Sequence, residues 1–289
     1  MLLHRCAVAV PLLGLVLAVF LLPAPSAAVL FCLWMLVLAG VAGRELLSLF
    51  QRLGVVGYGR LTLSLGCLYL LLWAAGLPAG VEAGVEVLLV GGLVFSCFAL
   101  SLRAGRPSAA TLAPVWASLA VFIYLFWSLS FLVRLFFLPE AQGPWLALYV
   151  VVITKLADTG AYIAGSLTAR RARGNHKLIP AISPKKSWEG LLGGTLASVV
   201  GAVWLLAVAG DRLTVGGVAI LGWPSAVLLG ILGSLVGLLG DLAESALKRA
   251  AEVKDSGHLP GLGGALDLLD SLIPMAPLFY AYVRIASGS

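Results

Sequence analysis

Charge is scarce in this sequence. Only 11% of its 289 residues are Asp, Glu, Lys or Arg, with 13 acidic residues and three histidines, against 61% hydrophobic residues. So low a polar content, at a mean hydropathy of +1.06, excludes a water-soluble globular domain. Cysteine is scarce as well. Cys6, Cys32, Cys67 and Cys97 stand singly in apolar runs without CxxC or CxxH spacing, which argues against a zinc site or a disulfide framework and leaves them as small buried hydrophobes. No basic stripe is interleaved with exposed aromatics, so the net charge of +6 is no signal for nucleic acid. Internal repeats and long polar linkers are missing too. What the chain does have is continuous apolar runs, where a membrane barrel would show short alternating segments. The expected fold class is all-α, a polytopic integral membrane bundle of about nine helices.

The nine runs cover residues 7–22, 27–43, 61–77, 85–102, 113–131, 145–166, 191–209, 218–239 and 272–285. The first, preceded by Arg5 and followed by PAPSAA, has the layout of a cleaved signal peptide, but the runs behind it favour a retained first helix. With the N-terminus inside, nearly all basic residues fall in inside loops, the densest being 167–190 and 241–270; Arg134 and Arg212 remain outside. The positive-inside rule therefore assigns those two loops to the cytoplasm. One continuous membrane domain is expected, with N-terminal spans over 1–140 and the loop-bearing region over 141–289.

Residues 241–270 concentrate the charge that the rest of the chain lacks. Asp241, Glu244, Ser245 and Lys248 recur at i, i+3, i+4 and i+7, one face of a helix. Asp267 and Asp270 recur at i and i+3 after the turn LPGLGG, on what is expected to be a second helix. Ionisable groups beside apolar spans are costly and usually functional. Asp241, Asp267 and Asp270 suit a hard divalent cation, Mg²⁺ or Mn²⁺, that retains water and accepts phosphate oxygens. Gly263 and Gly264 allow close backbone approach, and the amides opening the next helix offer an anion seat. Lys248, Arg249 and Lys254 add positive charge for phosphates. The competing reading is a solvated loop of interfacial salt bridges.

A second constellation lies in residues 154–190. Asp158 stands in KLADTGAYIAG, where it serves a site or pairs with Lys155 at i, i+3. Ser183 and Pro184 read as the N-cap and first residue of a helix, with Lys185 and Lys186 in its first turn. Lysines there oppose the helix dipole unless an anion is nearby, which favours phosphate binding.

These stretches together resemble the phosphatidate cytidylyltransferases. The run from Ser245 through Lys248-Arg249 and Lys254-Asp255 to Gly263-Gly264 and the paired aspartates is similar to that family's C-terminal signature. DTGAY at 158–162 and SPKKSWEG at 183–190 are similar to its other two motifs, in the same order. The chain departs from the family pattern at Leu262, where the family has His, and at Leu268, where it has Arg; its loop is also one residue shorter. The resemblance implies transfer of a cytidylyl group from CTP to phosphatidate, giving CDP-diacylglycerol and diphosphate, with a divalent metal, at the cytoplasmic face of a bacterial inner membrane. It implies catalytic roles for Asp241, Lys248, Lys254, Asp255, Asp267 and Asp270, with Asp241, Asp267 and Asp270 on the metal. Ser183, Lys185, Lys186, Arg249, Gly263, Gly264 and Asp158 are implied for CTP and its phosphates. Expected partners are these substrates and the bilayer, with a homodimer left open and no nucleic acid. His258 is expected to be an exposed loop residue, dispensable for transfer because a phosphate monoester needs no base to become a nucleophile. A CTP-dependent polyprenol kinase and a membrane transporter are the alternatives.

Overall fold

Prolines and hydroxyl residues mark where the long apolar runs become helices. In the computed structural model, which describes Val19 and residues 22–77, 80–103, 108–170, 174–257 and 263–288, α1 (Ala24–Arg52) carries a proline in its first turn, where a missing N–H does no harm. α2 (Gly59–Ala74) and α3 (Glu82–Leu102) follow. Ser108 caps α4 (Ala109–Val121): its hydroxyl accepts from the Thr111 N–H while the Thr111 hydroxyl accepts from the Ser108 N–H. A π-helical turn, Phe122–Trp127, leads into α5 (Ser128–Phe136). α6 (Gly143–Ala169) again starts with a proline. α7 (Trp188–Ala209), α8 (Trp223–Ala250), the short α9 (Ala265–Leu269) and α10 (Leu272–Ser287) complete the helices.

Among the described residues, seven helical segments are long and apolar enough to cross a membrane, and Gly59–Ala74 is a shorter apolar helix. The all-α membrane class is borne out, and each expected span from 27–43 onward overlaps one of these helices. Of the run at 7–22 only Val19 and Leu22 are described, and Arg5 and Cys6 lie outside the described residues. So do Arg106, Arg171, Arg173, His258, Pro260, Gly261 and Leu262.

Two local expectations fail. Ser183-Pro184 does not start a helix: β2 (Ser183–Ser187) is a strand, antiparallel to β1 (Lys177–Ile179). The helix begins at Trp188 because Ser187, four residues further on, takes the cap, its hydroxyl accepting from the Gly190 N–H at 3.1 Å. The seventh loop also tightens into a hairpin, β3 (Thr214–Val215) against β4 (Val218–Ala219), so α8 starts at Trp223 rather than 218 and continues past Asp241 to Ala250.

The chain forms two compact units. The first comprises Met1–Val133 with Leu247–Leu269, and the second Arg134–Ala246 with Asp270–Ser289. In lipid, helices gain little from burying apolar surface against one another, so close approach at small residues holds them together. In the first unit the Phe126 ring fills the space a side chain would need at Gly66, Leu63 does so at Gly43, and α9 packs on α1. Glu86 there accepts from the Tyr69 hydroxyl and the Trp127 Nε1–H, both at 2.8 Å. In the second unit α6 and α7 are the most closely associated pair. Gly160, Gly193, Gly194 and Gly201 lie in their contact, where any Cβ would collide with the facing helix.

Candidate active site

In the second unit, ionisable residues of α6, β2 and α8 gather near Asp270. Lys155, on α6, donates to Asp158 Oδ2 at 3.1 Å and to the Ser271 hydroxyl at 2.8 Å. Ser271 in turn donates to Asp158 Oδ2 at 3.1 Å. The i, i+3 pair therefore exists, but a third residue 113 positions along the chain joins it. Asp270 lies in the turn between α9 and α10, only 7% exposed, with the Ser271 N–H donating to its Oδ1 at 2.6 Å. Asp241 and Asp158 act on it as like charges and Lys155 as an opposite one. Gly240 makes this approach possible, because a Cβ there would strike the Asp270 carbonyl oxygen and the Pro274 ring.

Asp241 itself accepts from Lys186 on β2 and, at 3.2 Å, from the Ser245 hydroxyl one turn along α8. Strand geometry explains why one lysine of the pair is engaged. Successive side chains of a strand point to opposite faces, so Lys186 meets Asp241 while Lys185 is exposed. Ser183 is half-buried and pairs across the ladder with Ile179. The cluster thus holds three carboxylates, Asp158, Asp241 and Asp270, and two ammonium groups, Lys155 and Lys186. Among the described residues, no three His, Cys, Asp or Glu side chains converge closely enough to hold a metal ion alone.

The first unit holds the rest of the signature, arranged differently. α8 ends in a Schellman motif: the Val253 N–H donates to the Lys248 carbonyl and the Glu252 N–H to the Arg249 carbonyl, with Glu252 at φ 56°. This turn leaves Arg249, Lys254 and Asp255 exposed and Lys248 buried at 7% exposure. The Lys248 ammonium pairs with Asp267 Oδ1. Asp267 Oδ2 accepts from the Ser256 hydroxyl at 2.9 Å and the Gly264 N–H at 2.7 Å. Gly263 precedes it at φ 87°, a left-handed conformation that suits glycine. Asp267 and Asp270 consequently do not share one regular helix: α9 ends at Leu269, and the two carboxylates belong to different units.

Glu45 completes this second arrangement and has no counterpart in the sequence reading. From α1 it accepts from the Ala265 N–H at 3.0 Å, the Leu266 N–H at 2.8 Å and the Ser256 hydroxyl at 3.2 Å. The amides expected to seat a phosphate are therefore occupied by protein carboxylates, with Gly264 on Asp267 and the next two on Glu45. A signal for Glu45 was present, a lone carboxylate within the apolar run GVAGRELLSLF. Ser256 and Ser271 gave none, since serines are common in helices and loops alike.

Comparison with known proteins bears on what these residues do. The profile of the Cytidylyltransferase family matches residues 3–286. This chain belongs to that family. It is 42% identical over 139 residues to a phosphatidate cytidylyltransferase of Haemophilus influenzae, covering 48% of this chain and 45% of the relative. It is 40% identical over 144 residues to the Staphylococcus haemolyticus phosphatidate cytidylyltransferase, covering half of each. Against the Escherichia coli protein YnbB, which is uncharacterized, identity is 37% over 161 residues, covering 54% of this chain and 49% of YnbB. The chain thus spans about half the length of the curated relatives it matches. Family membership agrees with the resemblance drawn from the motifs.

Proposed function

We propose that this protein is a phosphatidate cytidylyltransferase, converting CTP and phosphatidate to CDP-diacylglycerol and diphosphate. The observation that carries this reading is the cluster of Asp158, Asp241 and Asp270 with Lys155 and Lys186 in a membrane protein of the Cytidylyltransferase family. In the reaction a phosphate oxygen of the lipid attacks the α-phosphorus of CTP, and the bond to the diphosphate breaks. Such transfers need alignment and neutralisation of phosphate charge more than covalent help.

Asp241 and Asp270 are the carboxylates we assign to a divalent ion. Hard oxygen donors, too few to enclose a cation, fit Mg²⁺ or Mn²⁺, whose remaining positions go to water and substrate phosphate. Bound there, the ion would draw charge from the triphosphate and favour departure of diphosphate. Asp267, whose oxygens are occupied by the Lys248, Ser256 and Gly264 donors, is not assigned to the ion. Lys186 is assigned to the CTP phosphates, with Lys155 holding Asp158 and Ser271 in position. Lys185, Arg249 and Lys254, all exposed, supply attraction for anionic substrates, and Asp255 and Ser183 help to orient the basic side chains. The density of basic residues in 167–190 and 241–270 supports a site at the cytoplasmic face of an inner membrane.

The test is to incubate the purified protein with phosphatidate, Mg²⁺ and CTP labelled on the α-phosphate. Label in the lipid fraction is the expected result. Label recovered only as soluble CDP would instead mean γ-phosphoryl transfer by a lipid kinase.

A further inference from the structure

We propose that Glu45 is a positioning residue for Asp267 and Lys248, the internal anion that ties Ser256 to the first turn of α9. The inference rests on the cytidylyltransferase reading for its catalytic consequence, but its structural content stands on contacts within the first unit alone. Glu45 belongs to α1, about 210 residues before the loop it touches. A carboxylate within an apolar helix is costly unless donors surround it. Here the Ala265 and Leu266 amides and the Ser256 hydroxyl do so. A charge-assisted bond to an amide is about twice as strong as a neutral one, so two on one carboxylate make a firm attachment.

The two ends of the loop meet on this carboxylate. A side chain at Gly257 would collide with Glu45 Oε1, and one at Gly264 with Glu45 Oε2 and the Ser256 hydroxyl. Neither glycine has a left-handed φ, so it is the space occupied by Glu45 that demands their missing side chains. The one Ser256 hydroxyl proton is shared between Glu45 and Asp267, which also accepts from the Ser256 N–H and holds Lys248. A continuous chain of contacts therefore runs from Glu45 through Ser256 to Asp267 and Lys248. Glu45 sets the position of the signature lysine and aspartate without touching substrate. It also explains why the α9 amides are not a phosphate seat: the protein supplies that anion itself.

The experiment uses the full-length protein in lipid nanodiscs, comparing wild type with Glu45→Ala and Glu45→Gln. Hydrogen exchange over residues 256–267 and cytidylyl-transfer kinetics are measured on the same preparations. Glu45→Ala is expected to speed amide exchange at Ala265 and Leu266 about 10-fold or more. It should lower kcat by roughly 100-fold, as small misplacements of catalytic groups do, with KM for CTP changing less than 5-fold by the same reasoning. Glu45→Gln keeps one acceptor oxygen and the shape of the side chain, so intermediate values of both readouts are expected. Unchanged exchange in both variants overturns the proposal whatever the activity. Faster exchange with wild-type kcat overturns the positioning role. If Glu45→Ala fails to fold, the Gln variant decides alone, by the same two readouts. Wild-type protein that transfers no cytidylyl group refutes the proposed function, while the exchange data still decide whether Glu45 holds the loop.

Discussion

Asp267 and Asp270 stand three residues apart in the sequence and live in opposite environments. Asp267 is surrounded by donors: the Lys248 ammonium, the Ser256 hydroxyl and the Gly264 amide. Asp270 is buried, accepts from the Ser271 amide, and faces the like charges of Asp158 and Asp241. A carboxylate ringed by donors has its bonding satisfied and stabilises the fold. One buried away from water with like charges nearby costs stability, and such groups cluster where ligands bind. The first arrangement is built like a joint and the second like a mixed-charge binding site.

Replacing the crowded carboxylates should give the largest effects. Asp241→Asn and Asp270→Asn are expected to lower cytidylyl transfer by about 1,000-fold or more, the scale of a lost ligand for charge neutralisation. Thermal stability of Asp270→Asn should hold or rise, since like-charge repulsion is relieved. Chelation with EDTA should abolish transfer likewise while hydrogen exchange at 256–267 stays unchanged. Full activity of either variant at saturating Mg²⁺ would erase the distinction between the two aspartates.

Asp267→Ala should lower stability as well as transfer, unlike the crowded carboxylates. It removes the Asp267 carboxylate from the buried Lys248 ammonium, and breaking a buried pair costs about 3–5 kcal/mol. Denaturant unfolding of the detergent-solubilised protein would register this as a lowered midpoint. A midpoint equal to that of Asp270→Asn would show that the two residues are not distinct in kind.

A smaller effect sharpens the role of β2. Lys186→Ala is expected to raise KM for CTP about 10-fold, the weight of one charge-assisted contact, and to change KM for phosphatidate less. Lys185→Ala, on the exposed face of the same strand, should change both by about 2-fold, as exposed charges do. Equal effects of the two substitutions would mean that the strand's alternation does not govern function.

The smallest effect concerns the turn that delivers Lys248 to Asp267. Glu252 occupies the left-handed position of the Schellman motif, where a non-glycine residue costs about 1 kcal/mol. Glu252→Gly should therefore stabilise the protein by about that amount with kcat unchanged, as read by thermal unfolding and the transfer assay. Destabilisation would mean that the Glu252 side chain makes contacts that outweigh its backbone strain.

Composition and run length by themselves determined the membrane class and the approximate extents of the helices from 27–43 onward. A 20-residue apolar segment has few alternatives once backbone groups must bond internally. The three charged motifs were also legible, because charge in so apolar a chain is conspicuous. Tertiary structure decided the rest. Ser183-Pro184 carries a local helix-start signal, yet pairing with Lys177–Ile179 and the cap at Ser187 make it a strand, and only then do Lys185 and Lys186 face opposite ways. The spacing of Asp267 and Asp270 suggested one helical face, but the end of α9 at Leu269 separates them. Glu45 acquires its role from residues more than 200 positions away. Helix periodicity is a local property that can be read along the chain; which donors surround a carboxylate depends on distant segments that meet only when the chain folds.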